Sequence, residues 1–92
     1  MKRGTVLVLT NNELILQFTQ ITVAQITSTV RGNASEVFLG ESDGLFADCV
    51  VNHNNIKTVE KRKLSDNITL LSKERMREVR QAIEFVFNLR NL

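Results

Sequence analysis

A small, strongly bent antiparallel sheet or partly open barrel, closed by one C-terminal α-helix, is the fold class this sequence predicts. Two observations carry that expectation. Short runs rich in β-branched residues recur between Thr5 and Val59, and clusters of turn-forming residues separate most of them. Apolar residues at clear helical spacing occur in one stretch, near the C-terminus. The 92 residues suit a single domain spanning 1–92. A core of that size leaves much apolar surface half covered, so the domain gains from a partner subunit.

The elements follow in chain order. Thr5–Leu9 (TVLVL) reads as a buried strand, ended by the turn Thr10-Asn11-Asn12. Glu13–Phe18 fits either a single helical turn or an irregular loop. Ile21–Ile26 (ITVAQI) is a second strand that runs into the hydroxyl cluster Thr27-Ser28-Thr29. Val30–Asn33 has turn chemistry, because glycine and asparagine tolerate positive φ. Glu36–Leu39 is a third strand and Gly40–Gly44 a loop. Cys49–Val51 is a fourth strand, Asn52–Asn55 a turn, and Ile56–Val59 alternates apolar with polar residues as a half-buried strand should. Ser72 is a helix N-cap, and Leu71 before it can staple onto Met76. Met76, Val79, Ala82, Ile83, Val86 and Phe87 then form one apolar helix face, opposite Arg75, Arg77, Glu78, Arg80 and Gln81. Phe85 falls outside the stripe, which fits either an interface residue or one of the single exposed aromatics common on protein surfaces.

Composition narrows the function classes. Hydrophobic residues make up 42% and charged residues 24%, the balance of an ordinary globular protein. No apolar run reaches the length of a membrane span, and none after Met1 has the character of a secretory signal. Cys49 is the single cysteine, so no disulfide framework forms within one chain, which fits a cytoplasmic location. The net charge of +2 is small. Lys2, Arg3 and Arg31 lie in the N-terminal third, while Lys57, Lys61, Arg62 and Lys63 form a second basic cluster. A groove lined by a few of these would attract phosphates, although solvated surface is the commoner reason for such charges.

Several chemistries fall away. One histidine, one cysteine and dispersed carboxylates give no HExxH, CxxC or DxDxDG pattern, so no metal site is expected. No P-loop or GxGxxG appears, and no cofactor is expected. Cys49 reads as a core residue and His53 as a turn residue rather than as a nucleophilic pair. Hydroxyls and cations are left. RNA can be cut without metal when its own 2′-hydroxyl attacks the neighbouring phosphate; the protein then orients the groups and stabilises charge growing on the phosphoryl oxygens. Arginine suits that task through its planar fork, and a Thr or Ser hydroxyl can add a hydrogen bond.

The order of short motifs resembles the MazF/PemK family. The relevant segments are Val6-Leu7-Val8-Leu9-Thr10, Thr22-Val23-Ala24-Gln25-Ile26-Thr27-Ser28 and Ser35-Glu36-Val37-Phe38-Leu39. They continue with Asp48-Cys49-Val50-Val51, Asn55–Leu64 (NIKTVEKRKL) and Leu71-Ser72-Lys73-Glu74. Each is weak singly; together, in order, they cover nearly everything from Val6 to Leu89. The resemblance implies a mainly β, SH3-like small barrel of the MazF/CcdB kind with a C-terminal helix. The body of the family's first strand and the loop after it are expected to be missing, which would leave Thr5–Leu9 at an unpaired edge.

The resemblance further implies a homodimeric toxin of a type II toxin–antitoxin system. Its activity would be that of an mRNA interferase, a metal-independent endoribonuclease cutting single-stranded RNA at short sequences. A cognate antitoxin would neutralise it by laying a flexible tail in the RNA groove. The family's catalytic threonine falls on Thr27. Its catalytic arginine falls on Gly4, which makes Arg3 the nearest arginine for that role. Thr29 takes a position at which members contact RNA, and Asn55 stands for a frequent glutamine. With Ser28, Arg31 and Lys57 these are the candidate RNA-binding residues. Two alternatives stand beside the enzyme: a catalytically impaired dimer that binds antitoxin or RNA, and a CcdB-like gyrase poison.

Overall fold

The computed structural model describes residues 5–64 and 71–89. Among them, four strands form one antiparallel sheet: β1 (Thr5–Val8), β2 (Gln20–Thr27), β3 (Glu36–Leu39) and β4 (Cys49–Glu60). Their spatial order is β1-β2-β4-β3, a curled half-barrel. A one-turn helix α1 (Asn12–Ile15) links β1 to β2, and α2 (Lys73–Val86) closes the domain. Asn11 starts α1 by accepting the Glu13 N–H on its side-chain oxygen at 2.8 Å. The Lys61 ammonium donates to the Ile15 carbonyl at 2.7 Å, tying the end of that helix to the end of β4.

Register assigns the two faces of the sheet, since residues directly opposite one another in an antiparallel pair share a face. Thr5 faces Ile26, Leu7 faces Ala24, Val37 faces Val51 and Leu39 faces Cys49. This is the face beneath α2: Ala24, Val37, Leu39 and Val51 are buried with Val79 and Ala82 of the helix, and Leu7, Ile26, Cys49, Ile56 and Ile83 pack against them. The other face carries Val6, Gln25, Asn52 and Glu36 in one row across the sheet, and Thr27, Val50 and Phe38 in the next.

Helix α2 forms where its pattern places it. The Ser72 hydroxyl caps it by accepting the Arg75 N–H at 3.1 Å. The predicted apolar stripe is covered in its centre, at Val79 and Ala82, whereas Met76 is 44% exposed, Phe87 54% and the off-stripe Phe85 53%. Arg75 fastens the helix to the loop between β3 and β4. Its Nε donates to Asp43 Oδ1 at 3.0 Å and its Nη1 to Glu78 at 3.1 Å, while Asp43 Oδ2 accepts the Gly40 N–H at 2.9 Å. Gly44 ends the 3₁₀ turn Glu41–Asp43 at φ +86°, the left-handed region that glycine reaches without strain.

The main correction concerns β4. The sequence suggests two strands, Cys49–Val51 and Ile56–Val59, parted by a turn at Asn52–Asn55; the structure has one twelve-residue strand. Its register against β2 jumps from Gln25↔Asn52 to Ala24↔Ile56, so His53, Asn54 and Asn55 have no partner residue on β2. The segment is a bulge and not a chain reversal. Asparagine supplies turn-like chemistry there, with Asn52 Oδ1 accepting the Asn54 N–H at 2.9 Å. His53, expected in a turn, is 1% exposed. Its backbone N–H donates to the Ser35 carbonyl at 2.9 Å, and Nδ1 lies 3.2 Å from the same oxygen.

Candidate nucleic-acid interface

Thr27 is the last residue of β2, opposite Val50 and on the face turned away from α2. Beyond it the chain turns sharply, because Thr27 Oγ1 accepts the Thr29 N–H at 3.1 Å. One lone pair of that hydroxyl is thereby occupied, and its proton is free to point outward to an acceptor. Thr27 and the exposed Ser28 line a groove of about 400 Å³ together with Thr5, Phe46, Asp48 and Cys49. Phe46 is 98% exposed on the groove wall. No lysine or arginine lines the groove among the described residues.

Glu36 holds the loop that follows. Its carboxylate accepts the Arg31 N–H at 2.8 Å and the Gly32 N–H at 2.9 Å, and its own N–H donates to the Asn33 carbonyl at 3.2 Å. The Arg31 amide, with further backbone donors and the nearby guanidinium, holds the Glu36 carboxyl below its ordinary pKa against the opposing effect of burial. Gly32 takes φ +77° at the turn. Asn33 Oδ1 accepts from both the N–H and the hydroxyl of Ser35. The loop carrying Ser28, Thr29 and Arg31 is thus pinned at both ends.

The bulge in β4 brings Asn55 back to the sheet. Its Nδ2 donates to Gln25 Oε1 at 2.6 Å, and Gln25 stands two residues before Thr27 on the same face. Lys57 shares that face opposite Val23, roughly 13 Å along β2 from Thr27 at about 3.3 Å per residue. Among the expected residues, Thr27, Ser28 and Thr29 are contiguous, and Asn55 is bonded to Gln25, two residues before Thr27. Lys57 lies at the far end of the strip and Arg31 on the clamped loop. Arg3 lies outside the described residues.

Cys49 and His53 do not form a nucleophilic pair. Burial first, then the Asp43 and Asp48 carboxylates, push the Cys49 thiol pKa up, against the thiolate that a nucleophile needs. Burial pulls the His53 pKa down, so the ring is neutral near pH 7. A carbonyl only accepts, so Nδ1 carries the proton toward Ser35; Nε2 is buried and has no partner among the described residues. Of the second basic cluster, Arg62 and Lys63 pair with Glu60 at 3.1 and 3.7 Å and Lys61 is spent on Ile15. Among the described residues there is no group of three or more metal-ligating side chains, and no helix is long and apolar enough to cross a membrane.

Sequence reasoning missed Gln25, Glu36 and Asn52. Gln25 was within reach, since alternation places it on the face of Thr27. Glu36 and Asn52 gave no comparable signal, because their places depend on pairing between distant strands.

The family described as PemK-like, MazF-like toxin of type II toxin–antitoxin system matches residues 1–87. Endoribonuclease MazF3 of Mycobacterium tuberculosis (strain CDC 1551 / Oshkosh) is 35% identical over 88 residues, covering 96% of this chain and 85% of that protein. Among solved structures, the Mycobacterium tuberculosis toxin MazF-mt6 superposes with a TM-score of 0.87 at 34% identity, covering 92% of this chain and 86% of that one. An endoribonuclease from a mycobacterial species, solved in complex with its cognate antitoxin, gives a TM-score of 0.83 at 26% identity, covering 94% and 82%.

Proposed function

Since this chain belongs to the PemK-like, MazF-like toxins of type II toxin–antitoxin systems, we propose that it is an endoribonuclease cutting single-stranded RNA beside Thr27. The Thr27 hydroxyl carries the reading: the Thr29 amide fixes its oxygen at the mouth of an open groove and leaves its proton to donate. In the reaction the 2′-hydroxyl of one nucleotide attacks the adjacent phosphorus, the bond to the 5′-oxygen breaks, and a 2′,3′-cyclic phosphate and a 5′-hydroxyl result. Thr27 donates to a non-bridging phosphoryl oxygen, where negative charge grows. No step requires a metal. A cation must still meet the phosphate, and the described groove lining supplies none. Arg3 fits that need, because it is two residues before Thr5, which lines the groove, and so is tethered within about 7 Å of chain.

Two partners belong to the same proposal. The chain acts as a homodimer, supported by the uncovered Phe85 of α2 and Phe87 just after it, and by β1, whose only strand partner among the described residues is β2. It is neutralised by a cognate antitoxin, as the mycobacterial endoribonuclease is found in complex with one. A second reading is a non-cleaving RNA- or antitoxin-binding dimer.

One experiment decides between them. Purified protein in excess EDTA is given single-stranded RNA, and cyclic-phosphate ends are counted. Thr27→Ala should slow cleavage at least about tenfold, or roughly 1.4 kcal/mol of transition-state stabilisation. Arg3→Ala should lower turnover more than RNA affinity, and Arg3→Lys should restore little. Wild-type protein that binds RNA and cuts none would establish the binding-only reading.

A further inference from the structure

Beyond the chemistry at Thr27, the bulge in β4 places two amide side chains side by side on the same face. Asn55 Nδ2 donates to Gln25 Oε1 at 2.6 Å. Gln25 faces Asn52 across the strand pair, where the register breaks, and is two residues from Thr27. Asn55 is exposed and Gln25 partly so. This is the polar contact bridging the outer part of the bulge to β2, and it joins two groups that water would otherwise satisfy.

We infer that Gln25 and Asn55 together read one RNA base flanking the scissile phosphate, an inference that rests on the endoribonuclease reading. The hydrogen-bond inventory supports it. A primary amide has two donor hydrogens and an acceptor oxygen. Once the two side chains are joined, the Gln25 Nε2 hydrogens are left as donors and Asn55 Oδ1 as an acceptor. A donor beside an acceptor is what the hydrogen-bonding edge of a base requires, and single-stranded RNA offers that edge unpaired. Because each amide fixes the plane of the other, little side-chain freedom is lost when a base docks. The spacing fits as well: two residues along a strand span about 7 Å, within one nucleotide of a phosphate held at Thr27. Reversing both amides exchanges the two roles and leaves one donor and one acceptor, so the complementarity does not depend on the amide assignment.

The pair then determines cleavage-site preference and not the rate of the chemical step. Gln25→Glu removes the free donor and leaves two acceptors, which favours a base offering adjacent hydrogens, guanine first. The test is cleavage of a randomised single-stranded RNA pool by wild type, Gln25→Ala, Asn55→Ala and Gln25→Glu. The same pool, 2′-O-methylated so that it cannot be cut, gives base preference in binding. Gln25→Ala and Asn55→Ala should each flatten preference at the same single flanking position, by at least about fivefold. The double substitution should do no more than either alone, and Gln25→Glu should shift that position toward guanine. Unchanged site profiles in Gln25→Ala, with wild type cutting, would overturn the inference and leave the enzyme reading intact. If wild type cuts nothing but binds with a base preference that Gln25→Ala erases, the reading pair stands and the enzyme reading falls. Binding without any base preference overturns the pair.

Discussion

Burial of His53 makes the stability of the fold depend on pH. His53 is the only histidine in the chain, and it is 1% exposed, with Nδ1 donating to the Ser35 carbonyl and Nε2 unpartnered among the described residues. Burial lowers its folded-state pKa below the unfolded value of about 6.5. Between those two values the unfolded chain binds the extra proton and the folded chain does not, so stability rises with pH there. Above pH 6.5 the contribution is full, and it is lost as pH falls from 6.5 toward the folded-state pKa. One proton at stake sets the limiting slope at about 1.4 kcal/mol per pH unit. Glu36 and Asp43 also have depressed pKa values, the first through the Arg31 amide and the second through the Arg75 guanidinium. Their contributions decline only as pH falls below about 4.3 and 3.9, so they leave the histidine window clean. Urea unfolding at pH 7.5, 6.5 and 5.5 reads the effect directly. Wild type should hold between 7.5 and 6.5 and then lose stability by 5.5, by at most about 1 kcal/mol. His53→Asn keeps a donor for Ser35 but cannot titrate; it should be less stable throughout and flat over the same interval. Equal slopes in the two proteins, or a flat wild type, would refute the reasoning.

Two more expectations test the scaffold. Glu36→Gln leaves one acceptor for the two backbone donors of Arg31 and Gly32, so hydrogen exchange at those amides should quicken roughly tenfold, together with weaker RNA binding; unchanged exchange would mean the carboxylate does not hold the loop. Val79→Ala removes two methyl groups from the centre of the α2 contact and should cost about 2 kcal/mol, or on the order of 10 °C in melting temperature. A scanning-fluorimetry shift of only about 2 °C would mean that α2 is not packed as described.

Much of this architecture was legible in the sequence where local pattern decides the outcome. Glu36–Leu39 is a strand with the bounds that its composition suggests, and Ser72 caps the helix that the 76–87 stripe predicts. Asn52–Asn55 misled, because the asparagine chemistry of a turn also serves a bulge. What makes it a bulge is pairing of both flanks to β2, a contact distant in sequence. Buried His53 was hidden for the same reason: its partner, Ser35, is eighteen residues away. At the candidate site, Thr27 was reached through family resemblance, and alternation alone would have added Gln25. The clamp on Arg31 could not be foreseen, since an exposed-looking Glu36 gives no sign of where its carboxylate will point.

The break in register within β4 has a consequence for how the molecule can vary. Each half of the strand keeps its own alignment: Val50 opposite Thr27 on one side, Lys57 opposite Val23 on the other. Residues added or removed between Asn54 and Ile56 would be absorbed at the break, and neither half would have to slide. His53 limits the freedom, because its bonds to Ser35 anchor the near side. Length and identity just after it are therefore uncoupled from the position of Thr27. For an engineer this segment is an exchangeable cassette, where a library of short inserts could retune target choice while the rest of the fold stays in place.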